Sequence, residues 1–428
     1  MVLSGPLTRA RRRLSGVYYG WWVVAASCAV AIYTGGVVFY GFTAFLEPLA
    51  EEFGWSYAEI SLAASLRGLE VGMLAPVAGA IVDRWGPRRL VFVAGLLTSA
   101  GLLLIPHVDS LLGFYGAFLI VAMGMSCCSM TVLVTAVGSW FRRNVGIATG
   151  VAVSGFGLSG LVVPVTVMLI DKCGWRDSFT ILGVAALMIL LPVSAVFRRK
   201  LQFHDDSSGD AIAMGQPQDA AIGVDLRTIS KEDDFGVKRV IRTGAFWLLA
   251  LVFTIHLMAM SAITTHVMPY FSSAGIARAT STMVAGSLPL VSILGRVGFG
   301  WLGDRLGHAR SGAICCGLMA VGTLCLSGVA TTRPWLIVFF LLSFGLGYGG
   351  NNTLRASLTR ESFGYAHFGA VFGLLIGVNM IGGVIGPLAA GVTFDIAGDY
   401  RVAWVIGALL LSCAAVSILA LHPAEKPT

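Results

Sequence analysis

Charge is scarce in this chain. Only 12% of its 428 residues are Asp, Glu, Lys or Arg, 56% are hydrophobic, and the mean hydropathy is +0.83. No water-soluble fold of this size could cover its surface with so few charges, so lipid is the expected solvent. Long hydrophilic stretches are also few, the principal one being 198–243, which leaves little room for a soluble domain. The eight cysteines, Cys28, Cys127, Cys128, Cys173, Cys315, Cys316, Cys325 and Cys413, lie almost all inside apolar runs and have no metal-ligand spacing with histidine. They read as small packing residues, with neither a disulfide framework nor a metal site expected. A nucleophile–base pair, a metal cluster and a phosphate-cradling loop are all missing, so neither an enzyme nor a cofactor is expected. A cleavable signal peptide is not expected either, because the Arg-rich start runs into an apolar span of about 25 residues, too long for an h-region.

What the chain does have is apolar length. A bilayer core of about 30 Å needs about 20 apolar residues per helix, and such runs fall at 20–44, 58–80, 90–106, 112–138, 147–170, 178–197, 244–268, 281–301, 312–330, 335–358, 368–393 and 403–421. The reading is an all-α membrane protein of twelve transmembrane helices. With the N-terminus cytoplasmic, roughly 21 of the Lys and Arg residues fall on the inner side, as the positive-inside rule requires. They include Arg9, Arg11, Arg12, Arg13, Arg84, Arg88, Arg89, Arg142, Arg143, Arg198, Arg199 and Lys200. Both termini are therefore expected in the cytoplasm. The net charge of +7 serves insertion, and nucleic acid is not an expected partner.

The hydrophilic stretch divides the spans six and six, giving an N-terminal bundle at 1–197, a cytoplasmic linker at 198–243 and a C-terminal bundle at 244–428. GAIVDRWG at 79–86 returns as GWLGDRLG at 300–307, and Gly150 and Pro164 are spaced like Gly373 and Pro387. One six-helix unit has evidently been duplicated, a common construction among transporters. Glycine, at 54 copies, lets helix backbones approach closely in lipid, and Ser154, Gly155, Gly157, Ser159 and Gly160 mark one such seam.

GAIVDRWGPRR at 79–89, with Gly79, Asp83, Arg84, Gly86, Arg88 and Arg89 in place, resembles the loop signature of the major facilitator superfamily. The resemblance implies the major facilitator fold: two six-helix bundles around a central cavity, with the loop latching one conformation through charge pairs and helix ends. The second copy keeps Gly300, Asp304, Arg305 and Gly307 before it weakens. Within the superfamily, WFRRNVGIATGVAVSG at 140–155, GPLAAGVTFDIAGDYRVAW at 386–404 and, in part, YYGWW at 18–22 are similar to signatures of the monocarboxylate porter group, which includes bacterial carboxylate transporters and oxalate–formate exchangers.

An ionised side chain near the bilayer centre costs about 2.5–3.5 kcal/mol on insertion scales and needs a reason. Arg296 stands eight residues before Asp304, about 12 Å along the helix. Its guanidinium fork fits a carboxylate, and the resembled group uses an arginine here to hold its substrate; a structural partner on a neighbouring helix is the other reading. The group's animal members carry a proton-coupling aspartate where this chain has Ser292, and their first-helix lysine falls near Tyr40. Helix 11 has Asn379 in place of the lysine associated with oxalate exchange, which points away from a dianion specialist. Arg67 and Glu70 share one helix face, either as a self-neutralising pair or as an outer gate or proton site. His266, beside the helix-breaking Pro269, either lines the cavity or sits idle at the interface, whereas His256 is expected to be packed. Tyr348, Asn351 and Asn352 fall on or near one face and could contact substrate or bond neighbouring helices.

The expected function is alternating-access transport of a small organic monocarboxylate in a bacterial inner membrane, by proton symport or anion exchange, with the protein acting as a monomer. A dicarboxylate or neutral solute on the same fold, with Arg67 as a second anion contact, is the nearest alternative. A non-transporting receptor or scaffold would require a folded domain in the linker or tails.

Overall fold

A computed structural model describes residues 18–141, 145–197, 239–363 and 368–420. Arg9 to Arg13, Arg142, Arg143 and the Arg198–Lys200 cluster lie outside them. Nine helical stretches among the described residues are long and apolar enough to cross a membrane. One of these, Ala148–Val196, reverses at Gly174 and holds two helices. Tyr57–Trp85 and Trp335–Phe363, each interrupted by several charged residues, complete the twelve. We number them α1 (Tyr19–Phe53), α2 (Tyr57–Trp85), α3 (Pro87–His107), α4 (Leu111–Gly138), α5 (Val145–Leu158 and onward to Gly174), α6 (from Gly174 to Val196), α7 (Gly244–Ser273), α8 (Arg278–Leu306), α9 (His308–Ser327), α10 (Trp335–Phe363), α11 (Phe368–Ala397) and α12 (Arg401–Leu419).

Local chemistry sets the ends. Ser110 and Thr243 accept from the Gly113 and Phe246 amides at the starts of α4 and α7, satisfying donors that a helix start leaves free. Ser56 and Glu59 form a reciprocal capping box at α2, at 2.8 and 3.2 Å. The reversals rest on glycines with positive φ, where a Cβ would be strained. These glycines pair across the duplication: Gly54 with Gly275, Gly86 with Gly307, and Gly174 with Gly398, each pair separated by nearly the same interval.

α1 is longer than the expected 20–44. Thr34–Tyr40 winds as a π-helical stretch, Gly41–Phe45 tightens to 3₁₀, and an amphipathic turn, Leu46–Phe53, extends it outward. The irregularity sits where Gly35 and Gly36 press on Ser159 and Val162 of the α5 seam, and Thr34 bonds back to the Val30 carbonyl at 2.8 Å. α4, expected to be continuous, breaks at Cys128–Ser129.

The end of the bundle holding Tyr18, Val196, Gly244 and Leu419 is called inner here, and the opposite end outer. At the inner end two of the sequence signatures meet. Tyr18 donates to the Trp140 carbonyl, Trp21 packs edge-on to Phe141 at 5.4 Å, and Gly20 makes room for the Phe141 ring. The halves join along two seams. α5 crosses α8, where a Cβ on Gly160 would stand 1.9 Å from the Gly286 carbonyl oxygen. α2 crosses α11, where Ser65 donates to the Val384 carbonyl at 2.7 Å.

Candidate functional site

Hydrogen bonds and ion pairs joining the halves gather at mid-depth and toward the outer end. Outermost, Arg278 of α8 reaches Asp171 at 2.8 Å and Glu47 at 3.5 Å. The Tyr57 and Ala58 amides at the α2 N-terminus donate to Asp395 of α11 at 3.1 and 2.9 Å, a carboxylate placed on the positive end of a helix. Phe394 stacks on Tyr400 at 4.5 Å and meets Tyr57 edge-on at 4.8 Å. The signature at 386–404 is thus part of an outer clamp. Deeper, the Met268 amide donates to Thr43 Oγ1 at 3.2 Å.

His266 belongs to this clamp. It is fully buried, with Nε2 2.9 Å from Ser61 Oγ and 2.9 Å from the Pro387 carbonyl, and Nδ1 3.1 Å from the Tyr400 hydroxyl. Both ring nitrogens are occupied, so neither reading from the sequence holds: it neither lines a cavity here nor sits idle. Pro269 leaves α7 continuous through Ser273.

At mid-depth the Tyr40 and Tyr348 hydroxyls meet across the halves at 3.0 Å. Tyr40 ends the π stretch of α1, and the Tyr348 ring lies parallel to His256, with centroids 6.1 Å apart. Outward of Tyr40, Ile263, Thr264, Val267, Ala285 and Leu288 line a small apolar gap with room for about one water molecule.

Arg296 lies inward of the hydroxyl pair, within electrostatic reach of Tyr40. Thr353 donates to its backbone carbonyl at 3.3 Å, fixing its height against α10. Its Nε is buried and has no hydrogen-bond partner, so the structural-partner reading finds no partner among the described residues. Ser292 is buried and donates to the Pro289 carbonyl at 2.6 Å. Of the asparagines, Asn351 is buried with a long contact to Cys316 Sγ at 3.9 Å, whereas Asn352 is exposed. The expected common face therefore splits. Asn379 is buried with both side-chain atoms unpartnered.

Arg67 and Glu70 do not form the expected self-neutralising pair. Arg67 donates to the Val38 carbonyl, which lies in the π stretch, and its guanidinium covers the Phe39 and Phe42 rings at 5.0 and 5.9 Å. Glu70 is half-buried with Oε2 unpartnered.

Of the loop signature, Gly79 and Asp83 lie on α2, with the surroundings of their side chains outside the described set. Arg84 and Arg88 are exposed, and Gly86 turns with φ 78°. Asp304 is exposed on the last turn of α8, and His308 pairs with Glu361 at 3.1 Å. The sequence reading missed Arg278, Asp171, Glu47 and Asp395. Their signal was faint, since each is an ordinary charge near a helix end.

The sequence profile of the Major Facilitator Superfamily matches residues 25–387. Monocarboxylate transporter 12 of Xenopus laevis is 25% identical over 402 residues, covering 91% of this chain and 85% of that one. Monocarboxylate transporter 13 of Bos taurus is 25% identical, covering 96% and 92%. YcxA of Bacillus subtilis (strain 168), an uncharacterised MFS-type transporter, is 25% identical, covering 84% and 85%. Among solved structures, the nucleoside transporter NupG superposes with a TM-score of 0.70 at 14% identity, over 93% of this chain and 99% of that one. An inward-facing, occupied bacterial homologue of the human lysosomal transporter Spinster gives 0.68 at 13% identity, over 94% and 96%. These structural likenesses speak to the fold alone. Twelve membrane helices in two duplicated halves, joined along two seams, fit what the profile finds: the chain belongs to the major facilitator superfamily and is a secondary transporter with monocarboxylate transporters among its relatives.

Proposed function

We propose that the protein moves a small organic carboxylate across a plasma membrane by alternating access, with Arg296 as the carboxylate anchor. The observation that carries this is Arg296, half-buried, with its Nε enclosed and without a hydrogen-bond partner, inward of the Tyr40–Tyr348 bridge. A half-buried charge with no protein partner gains most when an anion arrives to pair it. Tyr348 and Tyr40 supply ring surface and hydroxyls, and Asn352 a further donor. The names of the relatives support a carboxylate as cargo.

With both termini cytoplasmic and bundles at 1–197 and 244–428, the clamped outer end makes this an inward-facing conformation. Gly79, Asp83, Arg84, Gly86, Arg88 and Asp304 then lie at the cytoplasmic end, where they latch the opposite state. Coupling is by proton symport or by exchange of anions. His266 leaves the list of proton carriers in this conformation, and Glu70 is the candidate that is left of the two. The protein is taken to work as a monomer.

The test is counterflow in proteoliposomes with a panel of labelled carboxylates. Arg296→Lys keeps the charge but not the fork, so apparent affinity should fall at least about tenfold with near-normal expression. Unchanged affinity in that variant would remove Arg296 from the site.

A further inference from the structure

A second arginine stands at the depth of Arg296, on the neighbouring helix. Arg355 lies on α10 seven residues beyond Tyr348, so the two stand on one helix face. The Thr353 bond to the Arg296 carbonyl sets the two arginines within about 3 Å of each other in height, two residues at 1.5 Å each. Arg355 Nε is buried without a hydrogen-bond partner. Its guanidinium lies 5.6 Å from the Phe253 ring and within electrostatic reach of His256, Tyr348 and Cys316. None of these is a carboxylate.

No acid of this half can answer the two charges. Between Gly244 and Leu419 the acids are Asp304, Glu361, Asp395 and Asp399, all near helix ends, and no ion pair joins Glu70 of the other half to either arginine among the described residues. Arg67, more deeply buried than either, is the internal comparison: there this sequence gives an arginine a carbonyl and two aromatic faces. Arg296 has neither, and Arg355 has one ring.

We propose that Arg355 is a second anion contact and that the preferred cargo carries two anionic groups, in the simplest case a small dicarboxylate spanning Arg296 and Arg355. This rests on the assignment of Arg296 to the carboxylate. It reverses the expectation drawn from Asn379: the second cation comes from α10, where helix 11 lacks one.

The experiment is counterflow and competition with matched pairs, propionate against malonate and butyrate against succinate. Wild type should take the dicarboxylate at least about tenfold more tightly than its matched monocarboxylate, the worth of one charge-assisted contact. Arg355→Gln should erase that preference while holding monocarboxylate affinity within about threefold, and Arg355→Lys should restore part of it. Arg296→Gln should lose both classes. Wild type that takes neither class overturns the carboxylate reading itself. Wild type that takes monocarboxylates as well as dicarboxylates, or Arg355→Gln that weakens both alike, overturns the second contact and leaves Arg296 standing. Because the wild-type comparison needs no variant, misfolding of Arg355→Gln does not shield the proposal.

Discussion

Three arginines sit deep in this protein, and their partners sort them. Arg67 is a pin: it takes up the Val38 carbonyl that the π stretch of α1 leaves without a regular partner. Arg67→Met should strand that carbonyl at a cost of about 1–3 kcal/mol, lowering the melting temperature in detergent while substrate affinity stays within about twofold. A normal melting temperature with lost affinity would return Arg67 to the binding site. The sequence revealed that all such residues needed a reason, because intramembrane charge is expensive wherever it lies. It could not separate pin from ligand. Arg67 and Glu70 are three apart on one helix, yet the partner of Arg67 comes from α1, through a π distortion that no helical periodicity announces. Arg355 went unremarked inside GYGGNNTLR because the polar neighbours drew the reading, and only the fold shows that the arginine is the one without a match.

Helices were legible because lipid forces each span to satisfy its own backbone and to stay apolar for about 20 residues. What hydropathy left out were the amphipathic extension of α1, the break in α4 and the capping of α2 by Asp395 from the other half. Each depends on contacts between helices distant in sequence. The glycine seam at 154–160 was visible as composition, but its partner was not. Gly157 meets Ile293 and Pro289, and Gly160 meets Gly286, on α8. Gly160→Val would drive a methine into the Gly286 carbonyl, so the α5–α8 crossing must spread. Transport should fall more than about tenfold as that crossing ceases to close. Gly116→Ala, with nothing within 4 Å of the added carbon, serves as the matched control. Normal transport by Gly160→Val would mean that the seam tolerates a gap.

At the scale of the whole molecule, the outer clamp sets a conformational balance. Its surface pairs, Arg278 with Asp171 and Glu47, contribute little singly, whereas the buried histidine makes three contacts. His266→Phe removes all three at about 0.5–1.5 kcal/mol each, which is enough to shift a two-state balance tenfold or more. A cysteine placed at Ser65 should become reactive to impermeant thiol reagents from outside, and binding affinity measured in detergent should change little. Unchanged reactivity with a large affinity loss would place His266 in the binding site after all. The two unmatched arginines also have an electrical meaning. An empty carrier with Arg296 and Arg355 bare holds positive charge part-way across the membrane field, and a resting potential negative inside opposes its outward return by at most about 2.3 kcal/mol per charge per 100 mV. Loaded with a dianion, the same machine is nearly neutral and crosses unopposed. With the proposed dianion as cargo, voltage therefore favours exchange over net uptake: the electrically easy route outward is the one taken with a passenger aboard.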